Sequence, residues 1–150
     1  MKSGSTNRIV IIGIGNEMRG DDRIGMEIVK RLERKIKNRN IFFIKTSYIE
    51  NEIKRIARLK PKKIIIIDAA EIGKKPGEFS ILSKNELSSL VISTHSIPLP
   101  VILEYLDSFI NAKIIILGIQ VKCTELGKKM SNEVRKSIRR ICEFIERRII

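Results

Sequence analysis

The 150-residue sequence has no tryptophan, one histidine and two cysteines, and aromatic residues make up only 5% of it. Two cysteines are too few for a small fold held together by disulfides, and Cys123 and Cys142 have no partner at the spacing of a zinc site. We interpret both as packing residues. The shortage of aromatic side chains also leaves few surfaces on which nucleic acid bases could stack.

Long apolar runs are absent as well, the longest being stretches such as Ile64–Ile67. A membrane-spanning helix needs about 20 apolar residues, so the sequence predicts no membrane span. Residues 1–8 lead into a short apolar run that ends in glycine, without the cleavage site of a secretory signal. We therefore expect a cytoplasmic protein. The length and the lack of a Pro-, Gly- or Ser-rich linker predict a single domain over residues 1–150.

Acidic residues are scarce relative to basic ones. The chain has 17 Asp and Glu against 30 Lys and Arg, a formal net charge of +13 that is concentrated at residues 30–39, 54–63 and 128–148. Such an excess of positive charge can bind nucleic acid or an acidic partner. It can also reflect a thermophilic or compositionally biased host, where long cationic side chains solvate helix faces. We favour the second explanation, because few aromatic residues are available for base stacking.

Strand and helix patterns alternate along the chain. Continuous β-branched runs, which indicate strands buried on both faces, are followed by segments in which apolar residues recur every three or four positions. This alternation predicts an α/β fold, a three-layer sandwich with a mostly parallel central sheet and helices on both faces. The predicted strands are 8–15, 41–47, 63–68, 78–82 and 113–119, and the predicted helices are 24–37, 51–59, 98–110 and the segment that follows Ser131.

The carboxyl ends of the strands are where such folds bind ligands. The end of the first strand and the turn after it contain four glycines, from Gly13 to Gly25, together with the adjacent Asp21 and Asp22. A dinucleotide-binding turn has the same order of elements, but its third glycine would fall at Met18 and two carboxylates would stand where a pyrophosphate binds. One carboxylate is enough to cap the helix, so the second is free to face the strand ends.

Two more loops carry one candidate residue each. Asp68 follows four isoleucines at a predicted strand end, where an Asx turn is the alternative explanation. His95 lies among hydroxyl residues before two prolines, where a surface or packing role is the alternative. With Asp22, these residues offer two carboxylates and one imidazole from three loops. That set suits a divalent ion such as Ni²⁺ or Zn²⁺ with coordination positions left open for a substrate.

Four ordered blocks, spread over nearly the whole chain, resemble the endopeptidases that mature the large subunit of nickel-containing hydrogenases. The resemblance implies an enzyme that removes a short C-terminal extension from the large-subunit precursor once nickel has been inserted. The blocks are Gly13-Ile14-Gly15-Asn16 with Gly20-Asp21-Asp22, Ile67-Asp68-Ala69 with Pro76-Gly77-Glu78, Ser93-Thr94-His95 with Pro98-Leu99, and Leu117-Gly118-Ile119-Gln120 with Gly127 and Ser131.

The resemblance also implies roles for individual residues. Asp22, Asp68 and His95 would contact nickel that is carried by the precursor rather than held permanently, and would read it as a sign that loading is complete. Arg23 departs from the small residue usual in the family, and residues 121–123 replace a stretch that often carries proline. The mechanism stays open: nickel could polarise the scissile carbonyl or activate water, or Asp21 or Asp22 could act as general base.

Other functions of the same fold stay open too. A non-catalytic nickel-binding chaperone would use the same three ligands, and a basic nucleic-acid-binding module would use the net charge. A processing enzyme for another nickel protein cannot be separated from the main hypothesis by sequence. Under that hypothesis we expect a monomer whose partner is the nickel-loaded hydrogenase large-subunit precursor.

Overall fold

The computed structural model describes residues 7–90 and 97–150. Five strands form one sheet: β1 (Ile9–Ile14), β2 (Ile41–Thr46), β3 (Lys63–Ala70), β4 (Phe79–Leu82) and β5 (Lys113–Gln120). Their order is β2-β1-β3-β5-β4. All neighbouring pairs are parallel except the edge strand β4, which is antiparallel to β5. The mostly parallel sheet predicted from the sequence is therefore confirmed.

Within the described residues, four α-helices connect or follow the strands: α1 (Ile24–Lys35), α2 (Ile53–Leu59), α3 (Leu99–Phe109) and α4 (Asn132–Phe144). Each lies within a few residues of its predicted position. The first residues of the helix predicted over 51–59 belong to a 3-10 turn (Ile49–Glu52) that precedes α2. The 3-10 turn at Lys84–Ser89 and the π-helical turn at Ile145–Ile149 were not predicted. Both are too short for a helical repeat of apolar residues to be visible in the sequence.

The helices cover both faces of the sheet, so the three-layer α/β sandwich is confirmed. On β3, Ile65 and Ile67 pack in the cluster formed with α1 and α4, whereas Ile64 and Ile66 pack in the cluster formed with α2 and α3. Consecutive isoleucines are needed because successive strand residues face opposite layers and both layers are apolar. Ile138 of α4, which the helical pattern places in the core, is only partly buried.

The order of the strands fixes where a site can form. After β1, the chain passes through α1 to β2 on one side of β1, and then returns through α2 to β3 on the other side. The direction of winding therefore reverses between β1 and β3, and a crevice opens at the carboxyl ends of these two strands. Within residues 7–90 and 97–150, no helix is long and apolar enough to cross a membrane.

Candidate active site

Asp68 lies inside β3 rather than at its end. The sequence predicts that the strand ends at residue 68, but pairing with β5 continues through Ala70, because the small and buried Ala69 and Ala70 extend the parallel ladder. Asp68 is 1% exposed. Its Oδ1 accepts a hydrogen bond from the N–H of Ala69 at 2.8 Å, while its Oδ2 is buried with no hydrogen-bond partner among the described residues.

Asp22 lies on the 3-10 turn Gly20–Arg23, between β1 and α1. It is 3% exposed, and its Oδ1 is buried without a hydrogen-bond partner among the described residues. The expectation that one acid of the Asp21–Asp22 pair caps the helix is wrong. Arg19 and Arg23 occupy the N-cap positions of the turn and of α1, and no side-chain hydrogen bond caps either element.

Asp21 instead bonds to a distant part of the chain. Its Oδ2 accepts hydrogen bonds from the N–H of Lys122 (2.8 Å), the N–H of Cys123 (3.0 Å) and the hydroxyl of Ser131 (2.9 Å). Its Oδ1 accepts one from the N–H of Ser131 at 2.7 Å. Ser131 stands at the N-cap of α4, as predicted, but its hydroxyl is engaged with Asp21 and does not cap the helix. Both oxygens of Asp21 are thus occupied.

A close approach between α1 and β3 brings Asp22 towards Asp68. Gly25, in the first turn of α1, packs so tightly that a Cβ atom at this position would lie 2.3 Å from the carbonyl oxygen of Ile67. Ile67 directly precedes Asp68 on β3. Only glycine permits this contact, which sets the turn carrying Asp22 against the strand carrying Asp68.

Both carboxyl groups have raised pKa values. Burial raises the pKa of Asp22 from 3.8 to about 6, although the positive charge of Arg19 and a hydrogen bond from the Asn16 backbone lower it. Burial also raises the pKa of Asp68 well above 3.8; the charge of Asp22 raises it further, and the hydrogen bond from Ala69 lowers it. Two buried carboxylates that repel one another favour a shared proton or a cation between them.

The predicted metal ligands are only partly placed. The structure brings Asp22 and Asp68 together, and their unpartnered oxygens suit a divalent cation because carboxylate oxygen is a common metal ligand. His95, the third predicted ligand, lies outside the described residues. Across the part of the chain that is described, no group of three His, Cys, Asp or Glu side chains is gathered closely enough to hold a metal ion.

Gln120, at the end of β5, is a positioning residue whose role was not predicted from the sequence. Its Oε1 accepts a hydrogen bond from the N–H of Ile72 at 2.8 Å, and its Nε2 donates to Glu71 Oε2 and to the Val121 carbonyl, both at 2.9 Å. These bonds fix the loop that leaves β3 after Ala70, two residues beyond Asp68. The signal in the sequence was a single amide directly after the apolar residues 114–119.

Comparison with known proteins gives one consistent result. The sequence model of the HycI hydrogenase maturation protease family matches residues 26–148. A Methanocaldococcus jannaschii protein assigned to the hydrogenase maturation proteases is 38% identical, over 97% of this chain and 92% of its own length. The Escherichia coli hydrogenase 3 maturation protease is 27% identical, over 91% of this chain and 88% of its own.

Solved structures show the same similarity. The crystal structure of the [NiFe] hydrogenase maturation protease HycI from Thermococcus kodakarensis superposes with a TM-score of 0.82 at 32% identity, covering 95% of this chain and 92% of that one. The solution structure of the endopeptidase HycI from Escherichia coli superposes with a TM-score of 0.79 at 27% identity, covering 93% and 89%. The similarity therefore extends over the sheet and its helices as a whole.

Proposed function

Since this chain belongs to the hydrogenase maturation protease family and is a peptidase, we propose that it removes a C-terminal extension from the large-subunit precursor of a nickel-containing hydrogenase. The observation that supports this most directly is the buried pair of Asp22 and Asp68 at the reversal of strand order, with one unpartnered oxygen on each. Unpartnered buried carboxylate oxygens are costly to maintain, so their presence indicates a ligand.

The ligand in this proposal is the nickel of the precursor. Asp22 and Asp68 supply carboxylate oxygens, and His95 is assigned as the third ligand on the sequence argument. Two carboxylates alone would suit Mg²⁺ or Ca²⁺ equally well, whereas an imidazole shifts the preference towards Ni²⁺ and Zn²⁺. Binding through all three would let the enzyme distinguish a loaded precursor from an empty one. The nickel is therefore part of the substrate.

Of the two candidate bases, the geometry favours Asp22. A general base needs a free lone pair and a pKa near the working pH. The Oδ1 atom of Asp22 has two lone pairs and no hydrogen-bond partner among the described residues, so one can bind the nickel and the other can accept a proton, and the pKa of this carboxyl is about 6. The carboxylate of Asp21 is already bound by four donors, so we assign it a structural role and withdraw it as a base. A divalent ion held beside the scissile bond would supply Lewis acidity.

The test compares nickel-loaded and nickel-free precursor, with cleavage followed by the mass of the large subunit. We expect wild-type enzyme to shorten only the loaded precursor, and His95→Gln and Asp68→Asn to cleave it far more slowly. Equal cleavage of the nickel-free precursor by wild type would refute nickel sensing and leave the peptidase assignment intact. No shortened product from either precursor would refute the proposed substrate.

The alternative function, a non-catalytic nickel chaperone, would use the same unpartnered carboxylates, but membership of a peptidase family disfavours it. Tight one-to-one binding of Ni²⁺ by the isolated chain, with no shortening of a loaded precursor, would support it. The single domain over residues 1–150, the monomeric state and the cytoplasmic location stay predictions.

A further inference from the structure

A cationic groove lies beside the turn that carries Asp22. It has a volume of about 360 Å³ and runs between the start of α1 and the start of α4. Arg23, the residue after Asp22, lies on its wall, so the groove and the candidate active site share one 3-10 turn. The residues that line it are Arg23, Glu27, Lys129, Met130, Arg135 and Ile138.

The lining combines positive charge with an apolar floor. Three cations face a single anion, Glu27, which forms an ion pair with Arg23 at 2.8 Å. Lys129 is exposed and has no ion pair or side-chain hydrogen bond to any of the described residues. Met130 and Ile138 are partly buried and pack against the core between the sheet and helices α1 and α4. The groove therefore offers net positive charge above a hydrophobic surface.

The backbone of the groove is held in place before any ligand arrives. Ser131, which follows Met130, donates its N–H to Asp21 at 2.7 Å, and the N–H of Gly20 bonds to the carbonyl of Lys128 at 3.1 Å. Both bonds tie the segment that carries Lys129 to the turn that carries Arg23. A ligand binds more tightly to a preformed site, because no free energy is needed to order the loops of that site.

We propose that this groove binds an acidic stretch of the precursor polypeptide, in which Asp or Glu side chains alternate with apolar ones. The carboxylates pair with Lys129, Arg135 and Arg23, and the apolar side chains pack on Met130 and Ile138. A volume of about 360 Å³ accommodates two or three such side chains. This inference rests on the proposed function, because it identifies the part of a protein substrate that lies next to Asp22.

The binding test uses a fluorescein-labelled ten-residue peptide of alternating Glu and Leu, and the same peptide with Gln in place of Glu. Fluorescence anisotropy should show that wild type binds the Glu peptide about tenfold or more tightly than the Gln peptide. The double variant Lys129→Gln/Arg135→Gln should weaken binding of the Glu peptide about tenfold. Equal binding of both peptides, or no effect of the double variant, overturns the proposal.

The control is Lys54→Gln/Arg55→Gln, which removes the same two residue types from the exposed surface of α2 on the opposite face of the sheet. It should leave peptide binding within about twofold of wild type, since distant exposed charges are screened by salt. Weakening equal to that of the groove variant would show attraction by net charge alone and overturn the proposal. Equally groove-dependent competition by a 20-base-pair DNA duplex would favour nucleic acid instead, and would also overturn it.

The cleavage test measures the precursor itself. With Lys129→Gln/Arg135→Gln we expect KM to rise about tenfold while kcat changes much less, because the groove contributes binding rather than chemistry. An unchanged KM overturns the proposal. If wild type cleaves no precursor, the proposed function fails, whereas the peptide measurement still tests the groove by itself.

Discussion

Asp21 accepts hydrogen bonds from both the backbone N–H and the hydroxyl of Ser131, a residue 110 positions further along the chain. The same carboxylate also binds the N–H groups of Lys122 and Cys123. The turn that carries Asp22 is thereby fixed to the segment that leads into α4. The buried side chain of Asp21 therefore both stabilises the fold and fixes the position of Asp22, which is a proposed nickel ligand.

Asp21→Asn should destabilise the protein. An amide can accept on one side only, so its NH₂ group would face backbone N–H groups that have lost their acceptor. Hydrogen bonds to a charged group contribute about 1.5–3 kcal/mol each, so we expect the free energy of unfolding in urea to fall by about 2–3 kcal/mol. Ser131→Ala, which removes one donor, should cost about 1 kcal/mol.

The control for this series is Asp107→Asn. Asp107 forms an exposed ion pair with Lys84 at 3.2 Å. Such pairs contribute little, so the loss should stay below about 0.5 kcal/mol. A loss for Asp21→Asn no larger than that for Asp107→Asn would contradict the structural role assigned to the buried carboxylate.

Most of the fold could be predicted because its signals are local. The four isoleucines of β3 and the four-residue repeat of α1 each identify their element from neighbouring positions. The extent of β3 could not be predicted, since it depends on pairing with β5, and residues 69–70 carry no strand signal of their own. The antiparallel direction of β4 likewise follows from tertiary contacts rather than from its four residues.

The candidate site, like the fold, could be predicted only in part from the sequence. That Asp22 and Asp68 approach one another follows from the general rule for parallel sheets, so the proximity of these two residues could be predicted from the sequence, while their role as ligands stays a prediction. The division of labour between Asp21 and Asp22 could not, because the partners of Asp21 lie more than 100 residues away. Asp21 and Asp22 have the same side chain, and their roles differ because distant segments of the chain place hydrogen-bond donors beside Asp21.

Asp22→Asn should stabilise the protein at high pH. Its pKa rises from 3.8 to about 6 on folding. Below pH 3.8, Asp22 is protonated in both the folded and the unfolded protein, so its ionisation does not change the free energy of unfolding. Between pH 3.8 and about 6, Asp22 ionises only in the unfolded protein, so the free energy of unfolding falls as the pH rises. Above about pH 6, Asp22 is ionised in both, and the decrease stays constant. After discounting for screening by water, we expect Asp22→Asn to gain about 1–2 kcal/mol at pH ~8 and nothing at pH ~3.5.

Asp68→Asn should gain stability in the same direction, since burial and the charge of Asp22 both raise the pKa of Asp68. Glu33→Gln is the control, because Glu33 is exposed and pairs with Lys45 at 3.5 Å. Urea denaturation at the two pH values measures all three variants. If the aspartate variants gained no more than Glu33→Gln at high pH, the buried pair would not be under electrostatic strain.

The kcat/KM of cleavage should fall as the pH is lowered below about 6. Protonated Asp22 can neither bind a cation nor accept a proton, so kcat/KM should follow its ionisation. Arg19→Gln removes the positive charge that lowers this pKa, and should move the acid limb to higher pH. Arg34→Gln, on the exposed surface of α1, should leave it in place. An acid limb at the same pH in Arg19→Gln and wild type would show that another group controls activity.

Gly25→Ala should separate activity from simple loss of stability. The new methyl group would meet the Ile67 carbonyl oxygen at 2.3 Å, so the first turn of α1 must move away from β3. We expect unfolding to require about 2 kcal/mol less, and kcat to fall about tenfold or more as Asp22 moves from Asp68. Gly73→Ala meets no atom within 4 Å and is penalised only for its φ of +71°. It should lose about 1 kcal/mol of stability and keep its kcat. Wild-type kcat in a folded Gly25→Ala enzyme would mean that the contact between α1 and β3 does not position the carboxylates.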